Sequence, residues 1–94
     1  MFLKVKEAHY LHDYQIKLKF SDGKQGVVDL KDDLVGDVFA PLRSLDVFSR
    51  VYLDPIMKTL AWYNGADLAP EYLYFKAFRQ EPELQAQFKQ WGYC

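Results

Sequence analysis

The stretch DYQIKLKFSDGKQGVVDL, residues 13–30, constrains the fold more than any other part of the chain. Tyr14, Ile16, Leu18 and Phe20 alternate with Asp13, Gln15, Lys17 and Lys19, the period-two pattern of a strand with one wet face. Register then decides the turn. A two-residue turn at Asp22-Gly23 would set Leu18 against Val27 and Ile16 against Asp29, placing a carboxylate in the core. A three-residue loop of Ser21, Asp22 and Gly23, with Gly23 left-handed, pairs Phe20 with Lys24, Leu18 with Gly26, Ile16 with Val28 and Tyr14 with Leu30. The second register keeps one face apolar and is the expected one, with Lys17, Lys19, Gln25 and Asp29 facing water.

The flanking segments extend this hairpin. FLKVKEAHYL reads as a strand whose apolar phase moves from Leu3 and Val5 to Ala8 and Tyr10, which calls for a bulge near Glu7. RVYLD and KTLAW predict a second hairpin across DPIM, with Val51 opposite Leu60, Leu53 opposite Lys58 and Ser49 opposite Trp62. Between the hairpins, Gly36 and Pro41 interrupt residues 32–49, while the spacing of Val38, Phe39, Leu42, Leu45 and Phe48 predicts one or two short helical turns over a sheet face. Beyond Trp62, Asn64-Gly65 makes a turn. Asp67 is expected to cap or clamp the helix in APEYLYFKAF, where Pro70 suits the first turn, Glu71 suits the positive end, and Leu73, Tyr74, Ala77 and Phe78 face inward. A last helix over about 82–92 carries Leu84, Phe88 and Trp91 on one face and ends at Gly92. The expected class is α+β: a mainly antiparallel sheet of two hairpins plus an N-terminal strand, with short helical turns and two C-terminal helices, in a single domain of residues 1–94.

Composition narrows the function. At 94 residues, with 50% hydrophobic and 17% aromatic residues, one globular domain is expected, small enough that burial is incomplete and a homodimer would help it. Twelve basic against thirteen acidic residues give a net charge of −1, which offers no field for a polyphosphate chain and makes nucleic acid a disfavoured partner. Lys4, Lys6, Lys17 and Lys19, with His9 and Tyr10, form the best basic strip. Glu7, Asp13 and Asp29 interrupt it, and lysines on the wet side of a sheet also protect its edges from other chains. Cys94 alone cannot close an internal disulfide, the N-terminal residues lack the apolar run of a signal peptide, and no stretch approaches the roughly 18 apolar residues of a membrane span. The expectation is a reduced, cytoplasmic protein with no membrane partner.

Chemistry finds little support in the residue pattern. His9 and His12, three apart on an extended strand, point to opposite faces, and zinc needs three or four converging ligands. Asp29, Asp32 and Asp33 could gather around magnesium, but adjacent acids at a strand exit also cap turns. Ser44 and Ser49 lack a glycine elbow, and no phosphate-cradling glycine motif occurs. No catalytic, cofactor-binding or metal residue is therefore predicted, and no cofactor. The candidate partner-binding residues are Trp62, Asp67, Tyr72, Phe88 and Trp91. The stripe holding the last two is expected to pack mainly on its own sheet or short helices and partly to border a homodimer contact.

Three segments in order, KFSDGKQGVVDL, FAPLRSLDVFSRVYLD and LAWYNGADLAPEYLY, carry the motifs F-x-D-G, V-D-L and W-x-N-G-x-D-L-A-P. Together they resemble the small bacterial family called domain of unknown function 2442, over residues 2 to about 75. That resemblance implies a compact α+β domain. Because some members are joined to a helix-turn-helix segment or encoded beside a small toxin-like protein, it also implies a regulatory or antitoxin-like role. It implies no catalytic role for Asp22, Asp29, Trp62, Asp67 or Pro70. After Phe75 the chain departs from the pattern and adds PELQAQFKQWGYC, in which one helix after Pro82 is not a DNA-reading pair. The leading expectation is a non-enzymatic protein-binding or regulatory domain, the antitoxin-like member of a two-protein system, with an unidentified small protein as partner. A nucleic-acid-binding regulator is the alternative, and a small enzyme with a carboxylate site comes third.

Overall fold

The computed structural model describes residues 3–93. Met1, Phe2 and Cys94 lie outside the described residues, and with them the start of the first expected strand and the lone thiol. Three antiparallel strands, β1 (Val5–His12), β2 (Gln15–Phe20) and β3 (Gln25–Asp29), form one sheet in the order β1-β2-β3. The three-residue loop is observed. Ile16 faces Val28 and Leu18 faces Gly26, Phe20 N donates to Lys24 O at 2.9 Å, Leu30 N donates to Tyr14 O at 3.0 Å, and Gly23 has φ +90°. Ile16, Leu18, Phe20, Val28 and Leu30 are accordingly buried on one face. The bulge in β1 also falls where the apolar phase shifts, between Val5 and Glu7, and a second lies between Tyr10 and His12.

Strand β2 begins later than the alternation suggests, because Asp13 and Tyr14 form the turn from β1, with Asp13 at φ 48° and its carbonyl accepting the Tyr10 hydroxyl at 2.9 Å. Aspartate tolerates that left-handed conformation better than most residues. From Lys31 to Phe48 the chain makes four short turns rather than one or two: a 3₁₀ turn at Lys31–Asp33, α1 (Gly36–Phe39), a 3₁₀ turn at Ala40–Arg43 and α2 (Leu45–Phe48). They bring Leu34, Leu42 and Phe48 into the core, and each change of direction resets the helical phase, which is why no single period runs through the segment.

The second hairpin exists, with a register different from the expected one. In β4 (Tyr52–Leu53) and β5 (Leu60–Ala61), Leu53 faces Leu60 and Tyr52 faces Ala61, two residues away from the Val51–Leu60 pairing. A slip of two leaves every side chain on its original face, so the apolar pattern does not distinguish the two registers. The loop settles it. Asp54 N donates to Thr59 O and Lys58 N to Asp54 O, both at 2.9 Å, with Lys58 left-handed at φ 56°.

Helix α3 (Pro70–Phe78) starts at the expected proline and buries Leu73, Tyr74 and Phe78. It crosses β3 at Gly26, where a Cβ would lie 2.9 Å from Phe78 Cε1 and 3.1 Å from Ala77 Cβ; the glycine permits the close approach. Asp67 does not cap this helix: its N-cap is Ala69, without a side-chain cap, and Asp67 sits in an isolated bridge opposite Ala61. That bridge holds its backbone extended two residues before the helical turn. After a 3₁₀ turn at Pro82–Leu84, α4 (Gln85–Trp91) ends at left-handed Gly92, and Tyr93 N returns to Phe88 O at 2.9 Å, a C-terminal cap. Phe88 is buried against Phe75 and Tyr74, with ring centroids 5.2 and 6.3 Å away. The stripe thus meets the aromatic side chains of α3, where the sheet or the short helices were expected.

Candidate functional site

Strand pairing determines the solvent face of the sheet, setting Glu7 beside Lys19 and His9 beside Lys17. The Glu7 carboxylate lies 3.7 Å from Lys19 Nζ and 3.5 Å from His9 Nε2, so an anion breaks the lysine strip. On the other side Val27 faces Lys17. His12 turns to Asp13, with Nδ1 and Oδ2 3.2 Å apart. Among the described residues no three His, Cys, Asp or Glu side chains gather as a metal-holding group.

The three acids at the end of β3 and just beyond it have separate tasks. Asp29 Oδ1 accepts Lys31 N at 3.0 Å, and Asp32 is exposed. Asp33 turns inward, where its Oδ1 accepts the Tyr72 hydroxyl and its Oδ2 lies 3.0 Å from Lys76 Nζ, at ion-pair distance but poorly aligned for a hydrogen bond. The Asp33 and Lys76 side chains are only 15% and 17% exposed, so losing one would leave the other desolvated and unpaired. Burial first, then the hydrogen bond to Asp33 and its charge, push the Tyr72 phenol up to about 12. This cluster fastens α3 to the turn after β3.

The five candidate partner-binding residues do not form one surface. Trp62 is buried beside Phe48, and its Nε1 donates to Phe48 O at 3.0 Å. Phe88 is buried under α3, Tyr72 is half-buried on Asp33, and Trp91 is half-buried with its ring 6.0 Å from that of Tyr74. Asp67 is exposed.

A surface that the sequence reading passes over lies at the tip of the β4–β5 hairpin. Ile56 is 87% exposed and Met57 59%. Both sit on a loop that Asp54 holds shut: its Oδ1 accepts Ile56 N at 2.8 Å and Met57 N at 2.9 Å. Those bonds, that from Met57 first, hold the Asp54 carboxyl below its ordinary value of 3.8. At the loop's base Lys58 O accepts Val5 N at 2.9 Å, tying the tip to the edge of β1. The signal was present in DPIM, where two large apolar residues occupy a turn and an aspartate stands two and three residues before them.

The comparisons with known proteins follow the same outline. The model of the family described as protein of unknown function (DUF2442) matches residues 5–79, a span that includes both hairpins and α3 and ends before α4. The fold is similar to the crystal structure of the putative DNA-binding protein NE0471 from Nitrosomonas europaea, with a TM-score of 0.73 and 24% identity over 85% of this chain. The match spans about half, 52%, of that protein. No curated protein matches the sequence. No helix among the described residues is long and apolar enough to cross a membrane. With the family model covering most of its length, the chain belongs to the DUF2442 family of proteins of unknown function.

Proposed function

We propose that the chain is a non-enzymatic, protein-binding domain with a regulatory role, of the antitoxin-like kind, and that the β4–β5 tip is where it meets a small protein partner. One observation carries this reading: two large apolar side chains stand in solvent on a loop already fixed by the Asp54 hydrogen bonds. Burying an exposed isoleucine side chain is worth roughly 1.5–3 kcal/mol. A loop held in place before binding loses little ordering entropy on association. The half-buried Trp91 and the exposed Asp67 are secondary contact candidates, and a homodimer is compatible with the same tip.

A nucleic-acid-binding regulator is the second reading, favoured by the designation of the Nitrosomonas protein. Against it stand the net charge of −1 and the pairing of Lys19 with Glu7 and Lys76 with Asp33. Affinity capture from host cells separates the two when the tagged chain is compared with its Ile56→Ser/Met57→Ser variant. A stoichiometric protein retained by the first and lost by the second, in nuclease-treated extract, supports the protein-binding reading. Recovery of nucleic acid by both, disappearing at high salt, supports the alternative.

A further inference from the structure

We propose that the cleft between the β2–β3 loop, α3 and α4 binds a compact organic cation, an alkylated ammonium group, through the Trp91 ring and the Asp22 carboxylate that the Tyr74 hydroxyl holds in place. This site is independent of the hairpin tip. Leu3, Asp22, Tyr74, Leu84, Gln87 and Trp91 line a cleft of about 190 Å³. That is below the roughly 300–1,000 Å³ of sites for drug-sized ligands, and it suits a head group rather than a nucleotide.

The chemistry of the walls selects charge and shape together. Tyr74 and Trp91 meet edge to face at 72° with centroids 6.0 Å apart; the Tyr74 ring is itself buried against Phe20, Phe78 and Phe88, so the half-buried Trp91 supplies the aromatic surface of the cleft. Aromatic faces attract cations within about 6 Å of the ring centroid, and most strongly when the cation is poorly hydrated. Asp22 supplies a formal counter-charge whose position is already fixed: Oδ2 accepts the Tyr74 hydroxyl at 2.7 Å and Oδ1 accepts Lys24 N at 2.9 Å. Among the described residues, no lysine or arginine lines the cleft. Among the described residues, the charged side chains that add to burial in raising the Tyr74 phenol, Asp22 and Glu83, are both carboxylates. Leu3 and Leu84 complete the lining with apolar surface that suits the methyl groups of an alkylated ammonium, whereas a bare ammonium would lose more hydration there.

Nuclear magnetic resonance titration of the full chain with choline, and with its uncharged carbon isostere dimethylbutanol, tests the proposal. Choline should shift the Trp91 indole N–H saturably and leave that of buried Trp62 in place. The alcohol should bind at least roughly tenfold more weakly. Asp22→Asn removes the charge while its Oδ1 can still accept Lys24 N and its amide N–H can donate to the Tyr74 oxygen in place of accepting from it; choline binding should weaken roughly tenfold in a variant that still unfolds cooperatively. Comparing choline with a trimethyl-lysine peptide assigns the source: tighter binding of the peptide points to a protein side chain, and equal or weaker binding to a free small molecule. Equal binding of the alcohol, wild-type binding by the Asp22→Asn protein, or no saturable shift with either cation would overturn the proposal.

Discussion

Replacing Gly26 by alanine adds one methyl group at the closest contact between sheet and helix. The new Cβ would lie 2.9 Å from Phe78 Cε1, 3.2 Å from Phe78 Cζ and 3.1 Å from Ala77 Cβ. The ring cannot simply swing away, because its centroid is 5.7 Å from that of Phe20 and 4.8 Å from that of Tyr74. Nor can the Ala77 methyl retreat without its helix. Overpacking of this kind costs roughly 1–3 kcal/mol, while removing a glycine from the unfolded chain returns roughly 0.4–1 kcal/mol. The net expectation is a loss of about 1–2 kcal/mol, or some 4–15 °C in Tm for a domain of this size. Thermal and urea unfolding followed by circular dichroism would measure it, and a Gly26→Ala/Phe78→Leu double variant should recover part of the loss by making room. A midpoint equal to or above that of the parent would refute the idea that α3 is seated by the missing side chain.

Two further outcomes follow from the core. Tyr72 has its phenol raised from 10.0 to about 12, so the stability it confers is complete below pH 10 and is lost as pH rises through 12; Tyr72→Phe should flatten alkaline unfolding over that window and cost about 1 kcal/mol at neutral pH. Phe88→Ala should cost roughly 3–5 kcal/mol, since the ring is wholly buried although α4 lies beyond the family-matched residues, and a loss below 1 kcal/mol in chemical unfolding would mean that α4 is an accessory.

How much of this was legible in the sequence differs from element to element for physical reasons. The β2–β3 register could be read because the competing two-residue turn would have buried Asp29, a penalty visible in the pattern itself. The β4–β5 register could not, because a slip of two preserves the faces and the decision rests on Asp54 and on left-handed Lys58 within the loop. Gly26 opposite Leu18 carried a signal of close approach that only the position of α3 explains. Asp67 stands where a capping residue is common, but its bridge to Ala61 delays the helix until Pro70. Trp62 and Phe88 are conspicuous in the sequence, and both are engaged inside the core. The exposed Ile56 and Met57 lie in a segment whose alternation says nothing about function, and their interest comes from exposure on a tethered loop.

The central claim, that the hairpin tip docks a protein, is tested most directly by calorimetric titration of the partner obtained by affinity capture into the purified chain and into its Ile56→Ser variant. Burial of the isoleucine predicts a Kd raised roughly 10- to 100-fold, a less negative heat-capacity change on binding and an unaltered Tm. An unchanged Kd in a variant that folds as well as the parent would contradict the claim and place the partner on another face of the molecule.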